Sequence, residues 1–431
     1  MSAKTLGASG VLYTDRRDFY ISPNVTKELW TDVTPFTTIV SNRGIETDLK
    51  DPVFKMFEHR SAFVKQGFVL DDGTPPEIPD DSTGIACAVD GIFGLASTVD
   101  NSYVGLEVEC WSSDLSTLRG QGLILAASSP NLTICSLGAA FQTVDDDIFY
   151  VIGNGQGEGT ESPEAWADEL QRVWNSTQIF KTPIEITGTL HQAALRGYSS
   201  ELSRLRMEKN KEHKFQKEKA FLFGKNPVGI NADQSGETFD DGYRTDANSN
   251  KVRTTYGIAT ALEDYGTTDV TDDDQNVFTI VEASYKYSNY VDDTEKVFQY
   301  IPEAGYKYAL CGAGAMSYWS KLDGTSGFAG KSAWRVNLSD MKRDTLGFNY
   351  RVLETPHGIL KLVPAPALRG PRNKYMLVLS DENLMLKQYR PPMFQANIKT
   401  DNAYDGIKDQ YFSDEGVGIT LLESHKLFKI Q

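Results

Sequence analysis

The stretch SSELSRLRMEKNKEHKFQKEKAFLF, residues 199–223, decides how the rest of this chain is interpreted. It carries seven Lys or Arg and four Glu, but few apolar residues before its final FLF. We predict a helix roughly 37 Å long at 1.5 Å per residue. So thin an apolar stripe indicates a helix that crosses other elements rather than one inside a core. Opposite charges at helical spacing favour a solvated or intersubunit face; examples are Glu201 with Arg204 and Lys214 with Glu218.

The sequence before this helix, between Leu70 and Leu170, has a different character. Helical periodicity is absent, and short apolar runs alternate with turns rich in Gly, Ser, Asn and Asp. GLILAASSPNLTICSL, residues 122–137, predicts two strands joined by a Ser-Pro-Asn turn. DIFYVIGNG, residues 147–155, predicts a further strand. We interpret this region as a small β-rich insert.

The N-terminal region is predicted to form an extended arm that begins with a short helix. From Ser22, the sequence SPNVTKELWTDVTPF has a serine N-cap and proline at the first helical position, which predicts a short amphipathic helix. The helix should stop before Thr34 and Pro35. The stretch from there to about Gly67 is expected to be extended.

The C-terminal half mixes helices and strands. Gly224 should end the long helix, and the Gly-, Asn- and Asp-rich residues 225–252 predict a long mobile loop. We expect a helix near Asp293–Tyr300 and a strand passing into a helix over 306–322. Three strand-rich blocks follow, at 348–368, 373–392 and 417–430. Blocks of this kind that do not form a regular βαβ series predict the α+β class.

The net charge of −16 is concentrated in one region. Residues 70–170 contain 18 Asp or Glu and a single base, Arg119, while the remainder contains 41 acids and 42 bases. No uniformly basic surface is available to neutralise phosphate, so sequence-specific nucleic-acid binding is disfavoured. A nearly neutral remainder can line packaged DNA without gripping it, and the acidic insert is better placed away from phosphate.

Cysteine spacing and hydropathy exclude further classes. The four cysteines include no CxxC pair, so we predict free buried thiols in a reducing cytosol rather than zinc or disulfide chemistry. The N-terminus has no signal-like apolar region, and no window approaches the ~18 apolar residues of a membrane span. We therefore expect no membrane partner.

Two glycine-rich runs invite a nucleotide interpretation. GNGQGEG, Gly153–Gly159, has glycine at every second position, so GxGxxG fits at no register and a flexible loop is favoured. DGTSGFAGKS, Asp323–Ser332, approaches a P-loop, but its first glycine falls one residue too early. A surface loop is the better interpretation there.

Acidic runs and histidines give no catalytic signal. NADQSGETFDDG, Asn231–Gly242, resembles a calcium loop, but Gly242 stands where a bidentate glutamate is needed. A solvated acidic loop is favoured for this run and for Asp145–Asp147 and Asp272–Asp274. No HExxH or GxSxG motif is present. We predict no catalytic, cofactor-binding or metal-ligating residue and no cofactor, although a pair of glycosidase carboxylates can be neither read nor excluded. The scattered histidines are His59, His191, His213, His357 and His425.

Taken in chain order, several segments resemble the major capsid proteins of tailed bacteriophages, the family with the Hong Kong 97-like fold. TPF at 34–36 is similar to the turn that ends the family's N-arm. VIGNGQGEGTESPEAW (151–166) and WNSTQIFKTPIEITGTL (174–190) resemble the return from the extended E-loop into the long spine helix, whose position 199–223 then occupies. The remaining similar segments are 252–262 after the G-loop, 355–368 and 375–392 in the A-domain strands, and 417–430 as the closing strand.

This resemblance implies an α+β Hong Kong 97-like capsid fold with a β-rich insertion in the E-loop region. Because the chain begins at Met1, we expect no N-terminal scaffold segment to be removed if this is the mature form. The implied layout is 1–50 N-terminal arm, 51–69 start of the E-loop and P-domain, 70–160 E-loop with the insert, 161–304 P-domain with spine helix 199–223 and G-loop 225–252, 305–385 A-domain, and 386–431 C-terminal P-domain strands.

The implied function is structural, not enzymatic: a major capsid protein that self-assembles into hexamers and pentamers around double-stranded DNA. Scaffold, portal and cement or decoration proteins are the implied partners, and DNA would be enclosed without sequence-specific binding. The protein would assemble in the host cytoplasm and reside in the virion.

Two other classes remain open. The aromatic content of 11% and the many carboxylates suit an acidic carbohydrate-active hydrolase. A virion decoration or tail protein built from β domains alone would lack the long helix.

Overall fold

The structure is a computed structural model that describes residues 33–59, 67–71, 73–91, 101–159, 170–192, 200–230, 244–268, 275–300, 305–321, 342–343, 346, 348–398 and 405–431. The chain divides into two compact units. Unit 1 comprises Met1–Met56 and Arg172–Gln431, and unit 2 comprises Phe57–Gln171. Both helices and strands are abundant, which confirms the predicted α+β class. No helix in these ranges is long and apolar enough to cross a membrane.

The helices are α1 (Pro35–Arg43), α2 (Gly188–Gln192), α3 (Glu201–Phe223), α4 (Ile258–Tyr265), α5 (Tyr287–Phe298) and α6 (Ala313–Lys321). The strands of unit 2 and its borders are β1 (Ile45–Glu46), β2 (Val53–Glu58), β3 (Gly67–Leu70), β4 (Glu77–Ile78), β5 (Ile85–Gly91), β6 (Leu106–Trp111), β7 (Leu118–Ser128), β8 (Asn131–Ser136), β9 (Phe141–Gln142), β10 (Ile148–Asn154) and β11 (Gln171–Ser176). The later strands are β12 (Gln178–Thr187), β13 (Arg244–Thr245), β14 (Lys251–Val252), β15 (Val277–Ile280), β16 (Tyr306–Cys311), β17 (Lys342–Arg343), β18 (Asn349–Glu354), β19 (Ile359–Pro364), β20 (Tyr375–Leu379), β21 (Leu384–Gln395), β22 (Gly406–Ile419) and β23 (Lys426–Ile430).

Unit 1 contains two large sheets. Four strands form a sheet in the order β1-β21-β22-β12, against which α3 packs. Seven strands form a mixed sheet in the order β15-β23-β20-β16-β19-β18-β17. One apolar cluster contains buried side chains from both sheets and from α1, α3 and α4, while a second, aromatic cluster lies among the seven-stranded sheet, α5 and α6.

The long helix α3 confirms the prediction to within two residues. Ser200 caps its N-terminus, because the Ser200 side chain accepts a hydrogen bond from the backbone N–H of Ser203. The predicted surface pairing of Glu201 with Arg204 is present.

Other helices differ from the sequence expectation. The predicted strand-to-helix passage over 306–322 is confirmed by β16 and α6. The helix expected at 293–300 instead spans Tyr287–Phe298. The helix predicted from Ser22 lies outside the described residues, and α1 occupies a stretch that was expected to be extended.

The backbone at the end of α3 lies very close to the backbone just before α4. A Cβ atom at Gly224 would lie 2.4 Å from the carbonyl oxygen of Thr255, and one at Gly257 would lie 2.5 Å from the carbonyl carbon of Leu222. The two glycines also bond directly, with the Gly257 N–H donating to the Gly224 carbonyl at 2.9 Å. Only glycine permits backbones to approach this closely.

Unit 2 is built around a closed barrel of six strands in the order β10-β3-β5-β8-β7-β6, with the small pair β4–β9 beside it. The predicted hairpin and the strand at 147–155 are confirmed as β7, β8 and β10. Alternate residues of β6 point inward, so that Val108 and Cys110 are fully buried. Phe68 and Phe149 stack at the barrel centre with ring centroids 5.2 Å apart. Closure leaves no free edge on these six strands.

Candidate functional site

A layer of charged and polar side chains lies buried between α3 and β22. We call it the charged seam and define it as Arg206, His213 and Lys217 of α3 with Asp409, Ser413 and Glu415 of β22. The helical members are seven and four residues apart, which places them on one face of a helix. The strand members are separated by even numbers of residues, which places them on one face of a strand. Half of the buried residues of α3 are therefore polar, and β22 supplies partners for two of them, His213 and Lys217.

The seam contains two ion pairs with fully buried acids. The Lys217 ammonium lies 2.7 Å from Glu415 Oε2, and the Gln388 side chain donates to the other oxygen of Glu415 at 2.7 Å. Arg206 donates to Asp409 Oδ2 from Nε at 2.9 Å and from Nη2 at 2.6 Å. These pairs fix α3 relative to β22, because removing a basic partner leaves a buried acid without a counter-charge.

His213 lies between these two pairs. Its Nδ1 is 2.9 Å from the Thr182 hydroxyl and its Nε2 is 3.0 Å from the Ser413 hydroxyl. Burial, with a smaller contribution from Lys217, lowers the pKa of His213 to about 4. The imidazole is therefore neutral near pH 7, and one ring nitrogen donates while the other accepts.

Glu218, adjacent to the seam on α3, fixes the start of α1. Its carboxylate accepts the backbone N–H of Phe36 at 2.9 Å, the N–H of Thr37 at 2.8 Å and the Thr37 hydroxyl at 2.5 Å. The negative group thus satisfies the unpaired donors of a helix N-terminus. Burial raises the pKa of Glu218 despite these hydrogen bonds. The predicted surface pair of Lys214 with Glu218 is therefore wrong, because Glu218 is fully buried.

The opposite side of the four-stranded sheet carries a second charged group. Asp414 of β22 is fully buried, and its Oδ2 atom accepts from two guanidinium groups, Arg253 at 3.3 Å and Arg390 at 3.0 Å. Arg390 also lies over the Phe412 ring, with 4.3 Å between its central carbon and the ring centroid. One carboxylate oxygen thus accepts hydrogen bonds from two arginines.

Unit 2 contains a buried ion pair between Arg119 and Asp147. Arg119 Nε lies 2.6 Å from Asp147 Oδ2, and the same oxygen accepts the backbone N–H of Val144 at 2.7 Å. The expectation that Asp145–Asp147 is a solvated acidic loop is wrong for Asp147, because its side chain is only 1% exposed. Burial, together with Asp147, raises the pKa of the nearby Cys110 thiol to about 12. All four cysteines are free and buried, as predicted.

The glycine-rich run at 153–159 has a packing role at its start. Gly153 belongs to β10, and Gly155 donates its N–H to the Gly105 carbonyl at 2.8 Å. A Cβ atom at Gly153 or Gly155 would lie about 3 Å from the Glu107 carboxylate. Glycine at alternate positions therefore leaves room for Glu107, and the flexible-loop interpretation is wrong for these residues.

The P-loop-like run 323–332, the calcium-like run 231–242 and Asp272–Asp274 lie outside the described residues. At the end of the predicted 225–252 loop, β13 and β14 form a hairpin. Among the residues that the structure describes, no group of three or more His, Cys, Asp or Glu side chains could hold a metal ion. His213 and His425 are buried, whereas the other three histidines are exposed.

An apolar stripe is the usual sign of a buried helix face, and the charged seam lacks one, so the sequence does not indicate that this face of α3 is buried. The available signal was the spacing of 206, 213 and 217 together with the alternation of 409, 413 and 415. Neither pattern identifies its partner alone, because the helix and the strand lie about 200 residues apart in the chain.

A comparison with protein families assigns this architecture. Residues 14–414 match the sequence model described as the SU10 major capsid protein. Comparison with curated proteins gives no significant match. Among solved structures, the chain is similar to the capsid of a native GTA particle, with 8% identity, 99% of each chain covered and a TM-score of 0.48. It is also similar to the capsid of Myoviridae phage XM1, with 6% identity, 99% of this chain and 100% of that chain covered, and a TM-score of 0.44.

The protein is a structural component of a viral shell and not an enzyme. Because the family match spans most of its length, the chain belongs to the SU10 major capsid protein family. The Hong Kong 97-like fold predicted from the order of segments is confirmed, and nothing supports the hydrolase alternative. The 23-residue α3 contradicts a decoration or tail protein made of β domains alone.

Proposed function

We propose that this capsid protein forms hexamers and pentamers that close into a head around double-stranded DNA. Self-assembly into a shell follows from family membership. In the proposed arrangement unit 1 forms the wall and unit 2 lies on the outer face.

The distribution of charge is the observation that carries this arrangement. Residues 57–171 hold 19 Asp or Glu and 3 Lys or Arg, a net charge of −16. The rest of the chain holds 40 acids and 40 bases and is neutral. A neutral wall can enclose DNA without binding it tightly, whereas an acidic barrel facing the lumen would be repelled by phosphate.

The layout expected from the sequence fits this arrangement. We assign 1–50 to an N-terminal arm, 51–69 to the start of the E-loop and P-domain, and 70–160 to the E-loop with its inserted barrel. The P-domain would contain 161–304 and 386–431, with α3 as the spine helix and 225–252 as the G-loop. The A-domain would contain 305–385, which includes much of the seven-stranded sheet.

The charged seam would serve the wall by keeping the spine helix in a fixed position on its sheet. Two ion pairs with buried acids and the histidine between them hold α3 against β22, and Glu218 attaches α1 to the same helix. Assembly would then join subunits whose P-domains are already rigid, which reduces the ordering cost of each contact.

We further propose scaffold, portal and cement or decoration proteins as partners, packaged DNA without sequence-specific contact, and assembly in the host cytoplasm.

The test is expression of the full chain with and without a Lys217→Met change, followed by sedimentation and electron microscopy. We expect closed particles with five-fold and six-fold capsomers from the unchanged chain, and few or none from the variant. The matched control is Lys209→Met, because Lys209 forms a half-buried pair on the same helix, whereas the acid paired with Lys217 is fully buried. An unchanged chain that forms only monomers, or shells without such capsomers, would refute the proposal.

A further inference from the structure

Two lysines are fully buried on the face of the seven-stranded sheet that carries the aromatic cluster. Lys307 of β16 and Lys426 of β23 are each 0% exposed. Val378 of β20 is opposite Lys426 on one side and opposite Ala309, two residues after Lys307, on the other. Residues directly opposite each other in antiparallel strands project to the same face, and so do alternate residues of one strand. Both lysine side chains therefore point into the layer that contains α5.

Backbone carbonyl oxygens hold both lysine side chains. Lys307 Nζ donates to the Val297 carbonyl at 2.8 Å and to the Ser424 carbonyl at 3.0 Å. Lys426 Nζ donates to the Gln275 carbonyl at 2.8 Å. Val297 lies in the last turn of α5, where carbonyl groups have no partner within the helix. Ser424 lies in the connection 420–425 between β22 and β23, so Lys307 joins α5 to the segment that links the two large sheets.

The number of acceptors around Lys307 suits a neutral amine. A charged ammonium group has three N–H donors, whereas the described part of the chain supplies two acceptors for it. A neutral amine has two N–H donors, which these two carbonyls satisfy. A buried donor without an acceptor costs free energy, and so does a buried charge without a counter-charge. Burial, with a smaller contribution from Lys426, accordingly lowers the pKa of Lys307 to about 7.

The titratable groups around Lys307 do not offset a positive charge on it. His425 Nδ1 accepts the Ser380 N–H at 3.2 Å, and burial, together with Lys307 and Lys426, lowers the pKa of His425 to about 3, so its ring is neutral. The two acids on the neighbouring elements are half-buried, and neither is hydrogen-bonded to the Lys307 amine. The further titratable groups on the elements packed around it are Asp293 and Lys296 of α5, Cys311 of β16, Tyr318 of α6 and Glu423 of the connection.

The connection 420–425 is built to open before the sheets do. Leu421 has a φ of 47°, in the left-handed region, which is unfavourable for a residue with a bulky side chain. The connection is tied to the neighbouring crossing between the sheets through Asn383, whose side chain donates to Ser424 Oγ at 2.8 Å and whose carbonyl accepts the Thr420 N–H at 3.1 Å. Lys307 is bonded to the same strained segment from within the core.

We propose that Lys307 and Lys426 make the attachment of α5 and the connection 420–425 to the seven-stranded sheet dependent on pH. With Lys307 neutral, its two carbonyl bonds use all of its donors and the attachment is tight. Protonation adds a donor without an acceptor and a positive charge beside Lys426, so α5 and the connection pack less tightly. Because the connection joins the two large sheets, protonation also loosens their link. The device belongs to the single subunit and does not depend on the proposed shell function.

The test is hydrogen exchange of the full chain at pH 6 and pH 8, read by mass spectrometry and corrected for the intrinsic effect of pH on exchange. The pKa of Lys307 is lower in the folded segment than the ordinary value of 10.5, so its contribution to stability is complete above pH 10.5 and is lost as the pH falls to about 7. We expect protection of peptides that cover 287–298 and 420–430 to be roughly tenfold higher at pH 8 than at pH 6. Equal protection at the two values would overturn the proposal.

Three variants assign the effect to the buried amine. Lys307→Met places an unbranched apolar side chain at the site, so protection of the two peptides should become independent of pH. Lys426→Met removes the like charge, which raises the pKa of Lys307 and should make the change between pH 6 and pH 8 smaller. The matched control is Lys361→Met, because Lys361 lies on the opposite face of the sheet against the Tyr306 ring and should leave the tenfold change intact.

A change of full size that persists in Lys307→Met would contradict the proposal. If that variant does not fold, the unchanged chain and Lys426→Met still decide: an effect of pH that Lys426→Met leaves at full size would exclude the lysine pair as its source.

Discussion

In unit 1, the acids Asp409, Asp414 and Glu415 of β22 lie fully buried, each against at least one basic side chain. In unit 2, Asp147 is buried against Arg119, and the barrel encloses an apolar cluster. Unit 2 also holds the whole net charge of the chain. The difference separates two uses of charge: internal positioning in the neutral unit 1, and an excess of acidic side chains on the barrel of unit 2.

Removal of one partner from the charged seam is expected to have the largest effect on stability. Lys217→Met should lower the free energy of unfolding by about 3–5 kcal/mol, because Glu415 would stay buried without a counter-charge. Denaturant titration followed by circular dichroism would measure the loss. Lys209→Met, in the half-buried pair with Glu212, should cost less than about 1 kcal/mol, because Glu212 remains accessible to water. Similar losses in the two variants would mean that the seam is not the stabilising feature.

The pH dependence of unit 1 tests the histidine of the seam. The pKa of His213 is about 4 when folded, against an ordinary value of 6.5. Because the folded state favours the neutral ring, its contribution is complete above pH 6.5 and is lost as the pH falls toward 4. The loss should approach about 3 kcal/mol at most. Unfolding titrations between pH 7 and 4 would show it, and His213→Gln should remove this part of the slope.

The ion pair of the barrel should matter less and only locally. Arg119→Met leaves Asp147 with its Val144 hydrogen bond, so we expect a loss of about 2 kcal/mol in unit 2. Hydrogen exchange read by mass spectrometry should speed up in β3, β6 and β10. Exchange in α3 should not change. Equal acceleration in α3 would show that the two units do not respond separately.

The smallest expected effect comes from the N-cap of α3. Ser200→Ala removes the N-cap and should cost about 1 kcal/mol. Faster hydrogen exchange should be confined to the first turn of the helix. Exchange that spreads to Lys217 would indicate that capping, and not the seam, holds the helix in place.

Sequence analysis recovers the features that depend on neighbouring residues. Short apolar runs separated by turns predict the strands β7, β8 and β10 of the barrel, and helical charge spacing with a terminal glycine predicts α3 to within two residues. The capsid family is recognised from the order of such local segments. Periodicity and turn chemistry are encoded within a few residues, so they can be read directly from the chain.

Features that depend on distant partners are not recovered. Helix α1 is stabilised at its start by Glu218, 182 residues away, so the local sequence around Pro35 indicates an extended arm instead. Asp147 appears solvated because nothing local points to Arg119. The charged seam appears as an ordinary solvated helix face until β22 is placed beneath it. In each example a long-range charge partner overrides the local pattern.

Electron cryomicroscopy of assembled particles tests the central claim most directly. The account predicts a continuous wall formed by unit 1, with density for residues 57–171 projecting from the outer surface. A map in which 57–171 face the lumen, beside the packaged DNA, would contradict it.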